Sequence, residues 1–181
     1  LGPVYRKLAL MSAELLIKVS LADDHKIFRD GIRMALKDKE YLRILWEAED
    51  GKDLMHKMKL KKPDVLLMDI RMPEIDGVNA IGLLRKEYEE VKIIVLTMYD
   101  DQEMITKMME MGANAYLTKT SDPEEIYQAI LSCMNEDFYF NDLVNKAVLS
   151  KLQTKRQVRQ FYPNPVKFSE KEVRILKLLA E

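Results

Sequence analysis

Residues 65–77 read VLLMDIRMPEIDG, and this stretch decides the fold. Its first four residues are apolar, and an acid, Asp69, follows them at once. A short apolar run of this kind is typical of a strand that is buried on both faces, as in a parallel sheet. Pro73 and Gly77 then mark a loop, after which apolar residues recur at helical spacing. The stretch therefore predicts a strand, an acidic loop and a helix.

The same alternation of a predicted strand with a predicted helix extends over residues 17–134. Short apolar runs predict five strands, and apolar residues at helical spacing predict a helix after each of them. The predicted strands are 17–21, 42–46, 65–68, 93–96 and 115–117, and the predicted helices are 25–36, 54–60, 78–88, 104–111 and 126–134. Five β units that alternate with five α units predict a doubly wound α/β fold, a five-stranded parallel sheet with helices on both faces. We expect the methionines at 104, 108, 109 and 111 to fill the core of this fold, with an adaptable interface as the alternative.

The composition changes after Met134. Residues 142–167 carry six lysines and arginines against the single acid Asp142. Apolar residues at helical spacing predict a further helix over 144–152, and two prolines predict an exposed tether over 157–165. Ser169 and Glu172 form a capping box, which predicts one more helix at the end of the chain.

The composition as a whole excludes several classes of protein. Lysine and arginine total 29 against 30 acids, so the chain is not a uniformly basic nucleic-acid coat. Because 48% of the residues are hydrophobic, the chain can bury a core. Cys133 is the single cysteine, which excludes an internal disulfide. The most apolar N-terminal stretch, residues 13–22, contains Glu14 and Lys18 and is too short for a membrane span. We expect a soluble, cytoplasmic protein with no membrane partner.

Polar side chains follow four of the predicted strands at their carboxyl ends. In an open α/β sheet these ends meet at one crevice. Three of the side chains are carboxylates, which repel one another there, so we expect a cation that offsets the repulsion. Mg²⁺ fits best, because it binds a few carboxylates, keeps waters and bridges to phosphate oxygens. With an ammonium and a hydroxyl nearby, one carboxylate is a candidate nucleophile for phosphoryl transfer. The side chains are Asp23, Asp24, Asp69, Thr97 and Lys119.

At these residues the chain resembles a response-regulator receiver domain. The resemblance covers residues 17–134 and rests on LADDH at 21–25, MDIRMPEIDG at 68–77, LTMYDD at 96–101 and GANAYLTK at 112–119. It implies a flavodoxin-like sheet with the strand order 2-1-3-4-5. Within the family, the chain is similar to the NarL/FixJ subfamily, and FSEKEVRILKLLAE at 168–181 resembles the opening of a LuxR-type helix-turn-helix domain.

The resemblance implies a role for each matching residue. Asp69 is the implied phosphoacceptor. The implied Mg²⁺ ligands are Asp24 and Asp69 directly, Asp23 through water, and Arg71 through its backbone carbonyl. The implied switch residues are Thr97 and Lys119, which contact phosphoryl oxygens, and Tyr116, which turns inward.

The resemblance also implies a domain organisation and partners. We expect a leader at 1–14, a receiver domain at 15–137, a linker helix and tether at 138–166, and a truncated helix-turn-helix domain at 167–181. The residues that contact DNA are then expected beyond Glu181. The implied partners are a sensor histidine kinase, DNA and, on phosphorylation, a second copy of the chain.

Two residues depart from the commonest receiver pattern. Met98 follows Thr97 where many receivers carry a small residue, and Thr120 follows Lys119 where many carry proline. Two alternative functions also stay open: a receiver with an output other than DNA, and an aspartyl-phosphate hydrolase or phosphatase. Such enzymes usually place a second acid two residues after the nucleophile, where this chain has Arg71. His25 is expected to position the first helix rather than to bind a metal, since Mg²⁺ prefers oxygen ligands.

Overall fold

The computed structural model describes residues 16–73, 77–161 and Arg174; for Val78 and residues 154–161 it describes the backbone alone. Strands and helices alternate through the described part of the chain. The strands are β1 (Ile17–Ala22), β2 (Leu42–Ala48), β3 (Val65–Met68), β4 (Lys92–Thr97) and β5 (Ala115–Thr118). The helices are α1 (Lys26–Leu36), α2 (Gly51–Leu60), α3 (Gly77–Glu87), α4 (Gln102–Met111), α5 (Pro123–Glu136) and α6 (Asp142–Phe161).

The five strands form one parallel sheet in the order β2-β1-β3-β4-β5. This confirms both the predicted fold class and the strand order that the resemblance implied. Met68, at the end of β3, pairs with Ala22 of β1 and with Val95 of β4. Because every strand runs in the same direction, the loops that follow β1, β3, β4 and β5 lie side by side at the carboxyl edge of the sheet.

Each face of the sheet is covered by its own set of helices. On one face α2, α3 and α4 pack around residues such as Leu66 and Ile93, and on the other α1 and α5 pack around Leu67 and Ile94. All four residues of β3 are buried, as the apolar run predicts. Each side chain of this kind stabilises the folded state by roughly 1.5–3 kcal/mol when it is fully buried. The side chains of β3 therefore hold the helices on both faces of the sheet.

Three helices begin at aspartate caps. Asp50, Asp101 and Asp122 each accept a hydrogen bond from a backbone amide in the first turn of α2, α4 and α5. A cap of this kind stabilises a helix by about 1 kcal/mol. The cap at Asp50 explains why α2 begins at Gly51, three residues before the predicted start at Leu54.

Helix α6 is longer than predicted. It continues to Phe161, so residues 157–161, predicted as part of a tether, are helical. Residues 142–162 contain neither glycine nor proline, and helices usually end at or before the residue that precedes a proline, here Pro163. The leader at 1–14 lies outside the described residues, as do the rest of the tether and, except for Arg174, the predicted helix-turn-helix segment.

Helix α6 packs on α4 and β5. Val144 and Ala147 are buried in the same core cluster as Met108 and Met109 of α4. Met104 and Met111 are partly buried against this cluster, so the four methionines fill the core as predicted. No helix in the described part of the chain has the length and apolar character needed to cross a bilayer.

Candidate functional site

Backbone hydrogen bonds fix the loops at the carboxyl edge of the sheet. The amide of Asp69 donates to the carbonyl of Ala22 at 2.8 Å, and the amide of Asp23 donates to the carbonyl of Ala48 at 3.0 Å. The amide of Lys119 donates to the carbonyl of Thr97 at 2.7 Å. The strand pairing thus continues one residue beyond the ends of β1, β3 and β5, and it brings the predicted polar residues together.

Lys119 lies between two buried carboxylates. Its Nζ is 2.6 Å from Oδ2 of Asp23 and 2.6 Å from Oδ2 of Asp69, and only 6% of its side chain is exposed. Burial by itself lowers the pKa of Lys119, but the hydrogen bonds to Asp23 and Asp69 outweigh it and raise that pKa above its ordinary value. The Lys119 ammonium therefore offsets part of the repulsion between the carboxylates, so a divalent cation is not needed for all of it as the sequence alone indicated.

Helix α1 supports this ion pair with residues that the sequence argument missed. The ring of Phe28 lies beneath the ammonium, with 4.9 Å between Nζ of Lys119 and the ring centroid. The guanidinium of Arg29 donates to the carbonyl of Asp23 and, at 3.2 Å, to the carboxylate of Glu47. Arg29 shares the buried face of α1 with Ile32 and Leu36. A charged residue on an apolar helix face was the signal that could have identified it.

His25 occupies the N-cap position of α1 and contacts both adjacent acids. Its Nδ1 is 2.8 Å from Oδ1 of Asp24 and 3.2 Å from Oδ1 of Asp23. Its backbone amide donates to Oδ1 of Asp23 at 2.8 Å. These contacts agree with the expected positioning role, since they tie the start of α1 to the acidic loop.

The acidic residues form a cluster that could bind a metal ion. One potential ligand atom from each of Asp23, Asp24, His25 and Asp69 lies within 4.8 Å of the others. Asp24 is exposed, whereas Asp23 and Asp69 are buried, so the cluster is open on one side. Three carboxylates fit a hard cation that prefers oxygen ligands. The amide of Arg71 donates to Oδ1 of Asp69 at 3.2 Å, which places the Arg71 backbone beside this cluster.

Thr97, at the end of β4, and Tyr116, in β5, are both fully buried. Oγ1 of Thr97 has no hydrogen-bond partner among the described residues. A buried polar group without a partner costs about 1–3 kcal/mol, so this hydroxyl is available to a new acceptor such as a phosphoryl oxygen. The hydroxyl of Tyr116 donates to the carbonyl of Tyr99 at 2.9 Å. Burial, with nearby Asp101 and Asp100, raises the pKa of Tyr116 well above its ordinary value.

The two departures from the commonest receiver pattern have different surroundings. Met98 is 65% exposed, so most of its side chain faces solvent. Oγ1 of Thr120 is 2.8 Å from Oγ1 of Thr118, and the amide of Ser121 donates to the carbonyl of Thr118. These contacts close the loop after β5 without a proline. The side chain of Arg71 lies 4.3 Å from the ring centroid of Tyr99, on the neighbouring loop.

Comparisons with known proteins agree with this site. Residues 19–131 match the family model that describes the response regulator receiver domain. The chain is 32% identical over 167 residues to the response regulator UvrY of Escherichia coli, covering 92% of this chain and 75% of that protein.

Two solved structures resemble the fold. A two-component response regulator of the LuxR family from Aurantimonas sp. SI85-9A1 superposes with a TM-score of 0.70 at 26% identity, covering 75% of this chain and 97% of that one. RcsB from Salmonella enterica serovar Typhimurium, bound to promoter P1flhDC, superposes with a TM-score of 0.66 at 25% identity, covering 75% of this chain and 68% of that one.

Proposed function

Because this chain belongs to the response regulators, the switch proteins of two-component systems that control transcription, we propose that Asp69 is its phosphoacceptor. The phosphodonor is a sensor histidine kinase, and the reaction requires Mg²⁺. Phosphorylation then switches dimerisation and DNA binding by the full-length protein. The family consists of signalling switches and not of conventional enzymes, and the catalysis proposed here is limited to uptake and loss of this phosphoryl group.

One observation carries the proposal. Lys119 contacts both Asp23 and Asp69, and the buried hydroxyl of Thr97, at the end of β4, has no hydrogen-bond partner within the described part of the chain. Phosphoryl transfer requires a nucleophile, positive charge near the phosphoryl oxygens and a donor to hold the product. This edge of the sheet supplies all three requirements from three different strands.

The proposed chemistry is a transfer between two protein side chains. A carboxylate oxygen of Asp69 attacks the phosphorus of a phosphohistidine, the P–O bond of an acyl phosphate forms, and the P–N bond breaks as the imidazole leaves. Asp23, Asp24, Asp69 and the backbone carbonyl of Arg71 would hold Mg²⁺. When bound, Mg²⁺ supplies positive charge to the transferring group.

The switch follows from the change in charge at Asp69. Phosphorylation adds about one unit of negative charge and new acceptor oxygens. Lys119 is already within contact distance of Asp69, so it can pair with one phosphoryl oxygen. Thr97 can donate its free hydroxyl to another oxygen, and this would move the loop after β4. Tyr99 in this loop accepts the Tyr116 hydrogen bond, so the movement would reach Tyr116.

The proposed output is DNA binding by a dimer. In its solved structure the relative RcsB is bound to a promoter, and the Aurantimonas relative belongs to the LuxR family. Two helix-turn-helix units in a dimer would address two half-sites of an operator. We propose a cytoplasmic location, where both the kinase domain and the DNA are accessible.

The hydrolase alternative gains no support from the site. The position two residues after Asp69 holds Arg71, whose guanidinium stacks on Tyr99. A second catalytic acid is therefore missing from the place where such an enzyme usually has it. The second alternative, a receiver domain whose output is something other than DNA binding, also has no specific observation in its favour.

Intact-mass measurement tests the phosphoacceptor. With acetyl phosphate and Mg²⁺, we expect wild type to gain the mass of one phosphoryl group, and without Mg²⁺ we expect no gain. Asp69→Ala should stay unlabelled. Asp100→Asn is the matched control, because Asp100 is an exposed acid on the loop after β4, and it should be labelled like wild type. Equal labelling of wild type and Asp69→Ala would refute the assignment.

A further inference from the structure

The turn between α5 and α6 has an unusual backbone. Asp137, the residue after α5, has φ = 70°, and it is the one described non-glycine residue with a positive φ. Glycine is favoured at this C-terminal position because it carries no Cβ. The residue at this position is an aspartate, whose side chain makes contacts that a glycine could not make.

The carboxylate of Asp137 pairs with two cations from distant parts of the chain. Its Oδ1 is 2.6 Å from Nζ of Lys92, at the start of β4, and its Oδ2 pairs with the guanidinium of Arg174. The Lys92 ammonium, and then Arg174, hold the pKa of Asp137 below its ordinary value, so the carboxylate is ionised at neutral pH. The Arg174 guanidinium also lies 6.0 Å from the ring centroid of Phe138, which is buried.

The turn is fixed to the amino edge of the sheet, opposite Asp69. Nδ2 of Asn114, just before β5, donates to the carbonyl of Asp137 at 2.6 Å. Oδ1 of the same residue accepts from the amide of Ile93 at 2.8 Å. Because Asn114 is buried and bonded on both sides, it presents Asp137 and Phe138 in a fixed position.

The chain is long enough to return Arg174 to this turn. Helix α6 has 20 residues, which corresponds to about 30 Å. Residues 162–173 are 12 residues, and an extended chain of this length spans up to about 40 Å. Both partners belong to one chain, so their effective concentration is high, and even a weak contact can hold them together.

We propose that Asp137 and Phe138 form a docking point for the C-terminal segment of this chain, with Arg174 as the anchor. The carboxylate binds the guanidinium, and the Phe138 ring stacks beneath it. The contact holds Arg174 at the amino edge of the sheet, and it competes with any other partner of the Arg174 guanidinium. The proposal goes beyond the phosphoacceptor and does not depend on it.

A spin label tests the docking in the full 181-residue chain. Glu89→Cys places a nitroxide on an exposed residue near the start of β4, and Lys52→Cys places it at the opposite edge of the sheet. Cys133 is buried and will not react, because burial raises the pKa of its thiol to about 12. We expect the label at 89 to broaden the backbone amide resonance of Arg174 at least threefold more than the label at 52 does.

Three variants separate docking from a structural role of the turn. Asp137→Asn, which tolerates a positive φ, and Arg174→Gln should each remove at least half of the broadening. About 0.5 M NaCl should do the same, since salt screens an exposed ion pair. Lys92→Ala removes the other cation and should leave the broadening in place. Equal broadening from both labels, or broadening that persists in Asp137→Asn, would overturn the proposal, and so would its loss in Lys92→Ala.

Discussion

At the scale of single residues, Gly77 sets the geometry of the loop after β3. A Cβ at this position would lie 2.4 Å from Cα of Ile70 and 2.5 Å from its carbonyl oxygen. The amide of Gly77 donates to that same carbonyl at 2.9 Å, so the start of α3 is held directly against the residue that follows Asp69. Only a residue without a side chain allows this approach.

We therefore expect Gly77→Ala to destabilise the protein by about 3 kcal/mol, because the backbone of Ile70 would have to shift. Gly31→Ala is the matched control, since Gly31 lies within α1 and a Cβ there meets nothing within 4 Å. The control should stabilise the protein by about 0.5–1 kcal/mol. Urea unfolding measures both changes, and a similar effect from the two substitutions would contradict the argument.

The thiol of Cys133 makes the free energy of unfolding depend on pH in the alkaline range. Burial raises the pKa of its thiol from 9.0 to about 12. Above pH 9 the unfolded chain releases this proton while the folded chain keeps it, so the folded state loses stability as the pH rises towards 12. The loss is about 1 kcal/mol between pH 9 and pH 10, and it approaches about 1.4 kcal/mol per pH unit above that.

We expect the free energy of unfolding of Cys133→Ala to fall less steeply than that of wild type between about pH 9 and pH 10.5. The comparison removes the contributions of tyrosines and lysines, because both proteins carry them. Urea unfolding at several pH values measures the slopes. Parallel slopes would show that the thiol does not titrate as argued.

At the scale of elements, β3 and β4 were predictable because they are almost fully buried and read as nearly unbroken apolar runs. β2, which is only partly buried and contains Arg43, extends two residues beyond its predicted end at Trp46. β3 is predicted at its observed bounds, and β4 differs at its ends by one residue. Helix ends were less predictable, because caps depend on single residues. The start of α2 at Gly51, after the Asp50 cap, and the end of α6 at Phe161 show this.

The site was predictable in its residue types, but its contacts were not. Strand ends brought Asp69 and Lys119 to one edge, as the sequence indicated. The Lys119 ammonium contacts two carboxylates at once. This contact depends on how far the lysine side chain extends and in which direction, which the spacing of residues in the sequence does not reveal. Arg29 was missed because its role lies in bonds to Asp23 and Glu47, on two other elements.

Helix α6 begins at a cap residue that also contacts β5. Oδ1 of Asn141 accepts from the amide of Val144 at 3.0 Å, and its Nδ2 donates to the carbonyl of Tyr116 at 3.1 Å. We expect Asn141→Ala to cost about 1–2 kcal/mol and to speed amide hydrogen exchange in α6. Asp50→Ala removes a comparable cap from α2 and should leave exchange in α6 unchanged. Unchanged exchange in Asn141→Ala would contradict this role.

At the scale of the whole molecule, Tyr116 connects the loop after β4 to helix α6. Its hydroxyl donates to Tyr99 on the loop after β4, and its carbonyl accepts from Asn141 at the start of α6. Both bonds belong to one buried residue of β5. A change at the loop after β4 therefore has a direct route to the element that leads to the C-terminal segment.

Lys119 should be necessary for this coupling. In Lys119→Ala we expect Mg²⁺ binding to be largely retained through the carboxylates, while phosphorylation no longer promotes dimerisation. Sedimentation velocity before and after phosphorylation measures the difference. Lys107→Ala, which removes an exposed lysine from α4, is the matched control and should dimerise like wild type. Normal dimerisation of phosphorylated Lys119→Ala would count against the proposed switch.

The packing of α6 on α4 also bears on how the α/β unit behaves when it is isolated. A chain that stopped at the end of α5 would lose Val144 and Ala147 and would expose the apolar surface of α4 and β5 that they cover. Exposed apolar surface of this kind promotes self-association. Clustering of such a fragment in solution would therefore arise from the cut itself and would say nothing about signalling.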